Sequence, residues 1–450
     1  MRRGHIMNIK TKQKPASEQD TGDSITNRIL GTYPQKQDGL FMQRIKIFGG
    51  RINWAQWRRI ARLAATYTPS SELHVTTRQS IELHDIAGRD IPVIQRGLSE
   101  VALVLFGAGG DSIRNITVCS GCDFDTDSAG VFTLARFVDQ YLSSMSNILD
   151  LPRKFKISFS GCSTACAKPW LNDLGFIAQR NGTFMVIGAG SLGAKPAPGI
   201  ELYKNLSAKD VVPLCVAAIE FFEQYGDREN RRRARFRHVR ERLGESAFRA
   251  ELDKSFSNTK ARRSWPEVST TSTNKNIKLL WRLQLPNGNI KAEEAILLAD
   301  AAEPKGAELR INLEHGLELY GKKTFELPKT LSAFENNPVV IACPGSTTCP
   351  RAVANTRPIA NSIRKALEDL YHPDLRINIS GCPNNCAQSS VSGIGLVGVL
   401  RKQNGKPAQC YRLFTGGGNG RNDKLAGETG ILNVQDIPSA IKELVKRQEK

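Results

Sequence analysis

The sequence predicts an α+β or α/β chain made of two homologous halves, and three observations carry the prediction. Residues 155–162 (FKISFSGC) recur as residues 375–382 (LRINISGC), each alternating like a strand and then turning at Ser160-Gly161 or Ser380-Gly381. Strand-like and helix-like runs alternate in both halves. A length of 450 residues, with 40% hydrophobic and 24% charged residues, suits a folded globular chain of two or three domains.

Taken in order, residues 1–38 are polar and uneven and read as a flexible tail, with two arginines but no apolar stretch to make a secretory signal. A helix-like run, Trp54–Ala65, precedes a strand at Leu73–Thr77. Further strands are expected at Asn115–Cys119 and Phe155–Ser160, the second leading into the cysteine loop 160–167 (SGCSTACA). A glycine-bearing apolar strand, Leu174–Ala178, then a turn at Asn181-Gly182 and a glycine loop close the first half. The second half repeats the series. It has a helix at Ala292–Ala302, strands at Leu309–Leu313 and Val339–Cys343, and a strand leading into the loop 380–387 (SGCPNNCA). Strand Ile394–Gly398, a turn at Asn404-Gly405 and a glycine loop at Thr415–Gly420 follow. The halves run over roughly 39–255 and 276–450, joined by a polar linker. The apolar run Val211–Ile219 is too short to cross a bilayer, which favours the cytoplasm. Gly188–Gly193 fits GxGxxG, but the prolines after it disfavour the helix that a dinucleotide site needs.

The net charge of +19 fits nucleic acid, an acidic protein or an anionic cofactor or substrate. The densest basic run, Arg228–Arg242, reads first as a solvated helix face. Ten cysteines in a reducing compartment argue for metal or redox chemistry rather than disulfides. Eight fall into tight pairs, Cys119/Cys122, Cys162/Cys166, Cys343/Cys349 and Cys382/Cys386. Cys215 and Cys410 stand alone as small buried side chains. In the second half, C-x5-C and C-x3-C supply four thiolates, which suit zinc or an iron–sulfur cluster. The wide five-residue gap favours the cluster, and loop N–H groups would tune it.

C-x5-C followed some thirty residues later by G-C-x3-C resembles the siroheme and [4Fe–4S] nitrite/sulfite reductase family. Thr76-Thr77-Arg78-Gln79, Arg114-Asn115 and Pro152–Lys156 resemble that family's anion-binding motifs, in order, and the likeness covers the chain from about residue 39. The resemblance implies two ferredoxin-like half-domains and two α/β siroheme/[4Fe–4S] lobes in pseudo-twofold symmetry. The pieces would be 1–38 tail, 39–108 half-domain, 109–255 lobe, 256–275 linker, 276–336 half-domain and 337–450 cluster-binding lobe. It implies that Cys343, Cys349, Cys382 and Cys386 hold the cluster, with Cys386 bridging to the siroheme iron. Arg78, Arg114, Lys154 and Lys156 would surround the substrate face, and Thr77, Gln79, Asn115 and Asn312 would touch the cofactor. Four cations suit a small anion and its many carboxylate-bearing cofactor charges. Lys154-x-Lys156 is the sulfite-type pattern, so sulfite reduced to sulfide is expected, with nitrite to ammonia as the alternative. Electrons would come from a separate acidic carrier such as ferredoxin, with no nucleic acid or membrane involved.

The chain departs from the family in two places. Cys119, Cys122, Cys162 and Cys166 are either a second metal or iron–sulfur centre or packing relics of duplication, and a cluster there would compete for space with Arg114 and Lys156. Residues 312–316 (NLEHG) replace a cofactor-touching stretch, and His315 either contacts a siroheme carboxylate or sits on the strand. Two remoter readings are a corrin-biosynthesis monooxygenase of the same fold, disfavoured by the four cations, and a zinc-stabilised RNA-binding protein using Arg228–Arg242.

Overall fold

Residues 25–121, 130–145, 147–266, 268, 277–335, 337–370, 374–403 and 405–448 are described by the structure, a computed structural model. The architecture is mixed α and β, with four sheets in two pairs.

The first pair shows why the halves cannot be separated. One sheet runs in the order Thr32–Pro34, Leu40–Lys46, Ser80–Ala87, Glu72–Val75, and is completed by Asn289–Lys291 from the second half. The other runs Lys278–Gln284, Gly316–Gly321, Glu308–Ile311, and is completed by Arg51–Ile52 from the first half. Each half thus lends a short strand to its twin, pairing Asn289 with His74 and Arg51 with Arg310. A tight glycine turn launches each loan. Gly50 (φ 73°) and Gly288 (φ 75°) sit in the left-handed region, and an added Cβ would lie 2.2 Å from Ile311 O or 2.5 Å from Val75 O. The helices that follow, Trp54–Tyr67 and Ala292–Ala302, pack together. Trp57 Nε1 donates to Ala295 O and Trp54 Nε1 to Ala307 O, each at 2.8 Å. Asn53 caps the first helix reciprocally with Gln56. One apolar core, from Ile45 to Leu331, draws on both halves.

The second pair of sheets shares one topology. The first lobe orders Thr117–Val118, Ile157–Ser160, Leu174–Ala178, Thr183–Gly188, Ile200–Ser207. The second orders Val339–Ala342, Arg376–Ser380, Ile394–Gln403, Lys406–Thr415, Gly427–Asn433. In each, the first three strands are parallel and the last two antiparallel. The first two parallel strands of each lobe lead into cysteine loops, so the quoted repeat is the mark of a duplicated lobe.

Two expectations change. The expected tail 1–38 ends sooner, since Ile25–Ile29 is helical and Thr32–Pro34 pairs with Leu40–Lys46, while residues 1–24 lie outside the described residues. The expected linker 256–275 begins later, since helix Glu245–Ala261 carries Phe248, Leu252, Phe256 and Thr259 as a buried stripe. The polar residues between them hid that spacing. No helix opens at Gly188–Gly193; Ser191 bridges Ala197 there instead. Among the described residues no helix is long and apolar enough to cross a membrane.

Candidate active site

Parallel pairing brings three of the expected cations together. The backbone at Ile113 runs beside Phe155, and Arg114 N donates to Phe155 O at 2.8 Å. Phe155 is fully buried, so the alternation of extended chain turns Lys154 and Lys156 to the opposite face. Arg78 comes from the turn between strands Glu72–Val75 and Ser80–Ala87. Thr76 Oγ1 holds that turn by accepting from Arg78 N (3.3 Å) and Ser80 N (3.0 Å). The Arg78 guanidinium donates to Asn172 Oδ1 (2.8 Å) and Asn115 O (2.7 Å), and that of Arg114 to Ala108 O (3.2 Å) and Gly110 O (2.7 Å).

A fifth cation, Arg235, was missed. It precedes helix Phe236–Leu243, within the run expected to be a solvated face. Arg231, Arg232 and Arg233 are indeed exposed, but Arg235 and Arg237 are buried. Phe236 explains the difference: its ring packs 5.3 Å from those of Phe155 and Phe248, pinning its neighbours inward. Arg235 Nη2 donates to Asp173 Oδ2 at 2.7 Å, and the same oxygen accepts from Lys156 N at 2.8 Å. The alternation of Ala234 and Phe236 inside the basic run was the available signal.

The electrostatics of this group ask for an anion. Burial, then the Arg114 and Arg235 charges, pull Lys154 down to about 7. Burial, then Arg78 and Arg235, hold Lys156 well below the usual lysine range. Burial and Arg114 bring Arg78 down to about 9. Asp173 is the carboxylate within the group, and Arg78 Nε, Arg114 Nε and Arg235 Nε are buried without partners. Such orphaned donors in a cationic recess fit a polyanion.

Of the second-half cysteines, Cys386 lies close enough to Lys154 to bear on its charge. Cys343 follows strand Val339–Ala342 and accepts from Gly381 N at 3.2 Å. Cys382 and Cys386 share a loop closed by Asn385 N to Cys382 O (3.2 Å) and by Ala387 N to Ser380 Oγ (3.2 Å). Cys386 is exposed, whereas the other three thiols are buried or half-buried. Burial, then Cys386, pushes the Cys343 thiol up to about 12. Burial raises the Cys382 thiol as well, so these two resist ionising alone and fit iron, whose positive charge would stabilise the thiolates. Among the described residues no three His, Cys, Asp or Glu side chains converge on a single ion, and none of the nine described cysteines is in a disulfide.

Several expected cofactor contacts are braces instead. Gln79 is fully buried and spends both amide hydrogens on Val118 O (2.7 Å) and Ile311 O (3.0 Å), while its oxygen accepts from Val118 N. It therefore has no hydrogen left for a cofactor. Asn115 Nδ2 ties Ile47 O and Arg78 O, leaving its buried Oδ1 open. Asn312 Oδ1 accepts from Glu314 N (2.8 Å) and Gly316 N (2.9 Å), repeating the role of Thr76 in the other half. Thr77 is buried beside it in the first turn. His315 lies at φ 62° with its ring 5.3 Å from that of His74, and burial holds it neutral in the core.

The matching cluster in the second half is internally paired. Glu314 stands where Arg78 stands and Arg376 where Lys156 stands, and the two form an ion pair at 2.8 Å. Arg421 approaches Glu314 at 3.6 Å. Burial opposes ionisation of Glu314, but Lys168, Arg376 and Arg421 more than offset it. The expected competition for space does not arise. In both lobes the cations lie at the start of the parallel strands and the cysteines at their end, roughly 15–20 Å apart along extended chain.

Comparison with known proteins shows the family and the fold. The profile described as "Nitrite and sulphite reductase 4Fe-4S domain" matches residues 109–260 and 335–450, and that of the "Nitrite/Sulfite reductase ferredoxin-like half domain" matches 33–101. The chloroplastic ferredoxin–nitrite reductase of Arabidopsis thaliana is 28% identical over 97% of this chain and 82% of its own. The ferredoxin–nitrite reductase of Synechococcus elongatus is 28% identical, covering 90% and 86%. The assimilatory ferredoxin-dependent nitrite reductase of Haloferax mediterranei is 26% identical, covering 93% and 81%. The solved structure of Mycobacterium tuberculosis NirA shares the fold, with a TM-score of 0.79 and 20% identity over 93% of this chain and 86% of that one.

Proposed function

The chain belongs to the nitrite and sulphite reductase family, and from that premise we propose that it reduces nitrite to ammonia with electrons from a ferredoxin-type protein. Siroheme and a [4Fe–4S] cluster are the cofactors of this family. The observation that carries the reading is the buried cation cluster of Arg78, Arg114, Lys154, Lys156 and Arg235, in which Asp173 pairs with Arg235 and Lys154 lies near Cys386. The names of the relatives favour nitrite over the sulfite expected from Lys156. Cys343, Cys349, Cys382 and Cys386 hold the cluster in this reading. The exposed Cys386 is the thiolate suited to reach the macrocycle.

When bound, the siroheme would supply an iron for holding the substrate, and the cluster held by the four second-half cysteines would supply electrons one at a time. The chain's own residues do the rest. Nitrite takes up six electrons and eight protons to give ammonium and two waters, so every turnover needs both anion binding and proton delivery. Arg78 and Arg114 stay charged and bind carboxylate or nitrite oxygen through their free Nε hydrogens. Lys154 Nζ, held near neutrality, is placed to give a proton at working pH and regain it from water. Asp173 fixes Arg235 and the Lys156 backbone so that the cations keep their spacing. None of the nine described cysteines is in a disulfide, which supports a reducing compartment as the setting.

A second reading, sulfite to sulfide, rests on Lys156. The test is steady-state reduction of both anions by the loaded enzyme with reduced ferredoxin. We expect kcat/KM for nitrite to exceed that for sulfite by at least about tenfold, a difference of about 1.4 kcal/mol. A reversed preference overturns the nitrite reading, and a chain that takes up no siroheme overturns both.

A further inference from the structure

The cysteine loops of the first lobe copy those of the second at the level of individual hydrogen bonds. Cys119 N donates to Phe159 O at 3.1 Å, as Cys343 N does to Ile379 O. Gly161 N donates to Cys119 Sγ at 3.0 Å, as Gly381 N does to Cys343 Sγ at 3.2 Å. Ala165 N closes on Cys162 O at 3.1 Å, matching Asn385 N on Cys382 O at 3.2 Å. Ala167 N reaches Ser160 Oγ at 3.3 Å, matching Ala387 N on Ser380 Oγ at 3.2 Å. Even the strained positions agree, with Ala165 at φ 50° against Asn385 at 59°, and Lys168 at 56° against Gln388 at 67°.

Packing alone does not ask for this. A buried alanine tolerates φ 50° only where the surroundings impose it. A backbone N–H aimed at a cysteine sulfur is the arrangement that stabilises a metal-bound thiolate. Cys162 is half-buried, and Cys166 is half-buried at the edge of the first lobe's core, so neither sulfur is sealed in as that of Cys215 is. Cys122 lies outside the described residues.

We infer that Cys119, Cys162 and Cys166 bind a second iron–sulfur cluster, which passes electrons to the second-half cluster through the Lys168–Gln388 contact. Lys168 Nζ donates to Gln388 Oε1 at 2.7 Å, and both residues are buried. Lys168 is two residues from Cys166, and Gln388 is two residues from Cys386. The contact therefore joins the two loops by a short covalent and hydrogen-bonded route. The neighbouring twin recess is filled by the Glu314–Arg376 pair, so this cluster has no haem beside it and serves as an electron relay rather than a second reaction centre. The balance is simple. A reduced one-electron iron–sulfur carrier protein is oxidised, the first-half cluster is reduced, and the same electron moves on to the second-half cluster with no bond made or broken. Six such passes serve one nitrite. The acceptor in this scheme rests on the reading given under Proposed function.

The test is anaerobic iron and acid-labile sulfide analysis of the full-length loaded protein and of its Cys162→Ser/Cys166→Ser variant, with the siroheme absorption recorded on the same samples. The expected result is about nine irons and eight sulfides in the wild type, against about five and four in a variant with an unchanged siroheme band. About five and four in the wild type overturn the second centre, as does about nine in both proteins. If the variant does not fold, the wild-type count decides alone. A wild type without a siroheme band counts against the reductase reading, and its iron in excess of one four-iron cluster then decides the second centre. Lys168→Met and Gln388→Leu test the relay. Each should keep about nine irons and slow reoxidation of the first-half cluster by nitrite at least about tenfold, and an unchanged rate overturns the relay.

Discussion

Lys154, Lys156 and Arg235 reach the same recess by different routes, and only two of the three were legible. The lysines flank a buried phenylalanine on extended chain, and the resemblance to the family motif pointed to both. Arg235 sat in a run whose composition suggested solvent, and its role emerges only once Phe236 is seen in an aromatic cluster. Gln79 shows the opposite error, since a motif residue that promised a cofactor contact holds three strands together. The titration of Lys154 has a direct consequence. Its folded value is depressed to about 7, so the charged form that attracts an anion is present below that pH and lost above it. Cofactor carboxylates add countercharge and place the limb in loaded enzyme at or above that value. Nitrite affinity should therefore weaken as pH rises past about 7, and Lys154→Arg should flatten that limb; a pH series of spectroscopic nitrite titrations checks both. Arg235→Leu should weaken nitrite binding by about tenfold and leave Asp173 buried without its partner, costing about 3–5 kcal/mol of stability in denaturant titration.

Strands and helices were the most readable level. The helix Ala292–Ala302 has the bounds that periodicity suggested, and the cysteine-bearing strands fall where the repeat put them. Arg51–Ile52 and Asn289–Lys291 were not legible, because two- and three-residue strands leave no alternation to read and pair only with the other half of the chain. Their turns carry the sharpest test at this scale. Gly50→Ala and Gly288→Ala each force a Cβ onto a carbonyl of the twin half in a backbone conformation that alanine resists. Each should cost more than about 1 kcal/mol and lower Tm, with the double variant worse than either. An unaltered Tm for both would mean that the exchanged strands contribute little.

At the scale of the molecule, the two loans make each half incomplete alone. A chain cut between residues 266 and 277 should give fragments that are insoluble separately, because each exposes sheet edges and half of a shared core. Coexpressed, the same fragments should assemble into a soluble pair, which size-exclusion chromatography would detect. Duplication itself was plain in the sequence, since a recurring strand and cysteine turn survive as spelling. What the duplicate no longer does was not plain, because it depends on which side chains meet across the halves. Glu314 in the place of Arg78 reverses one sign, and the pair it makes with Arg376 occupies the second pocket from within. The molecule's two-fold architecture should therefore carry single valence. Its occupancy curve for nitrite should saturate at one anion per chain with a Hill coefficient of one, as for a protein that had never been doubled.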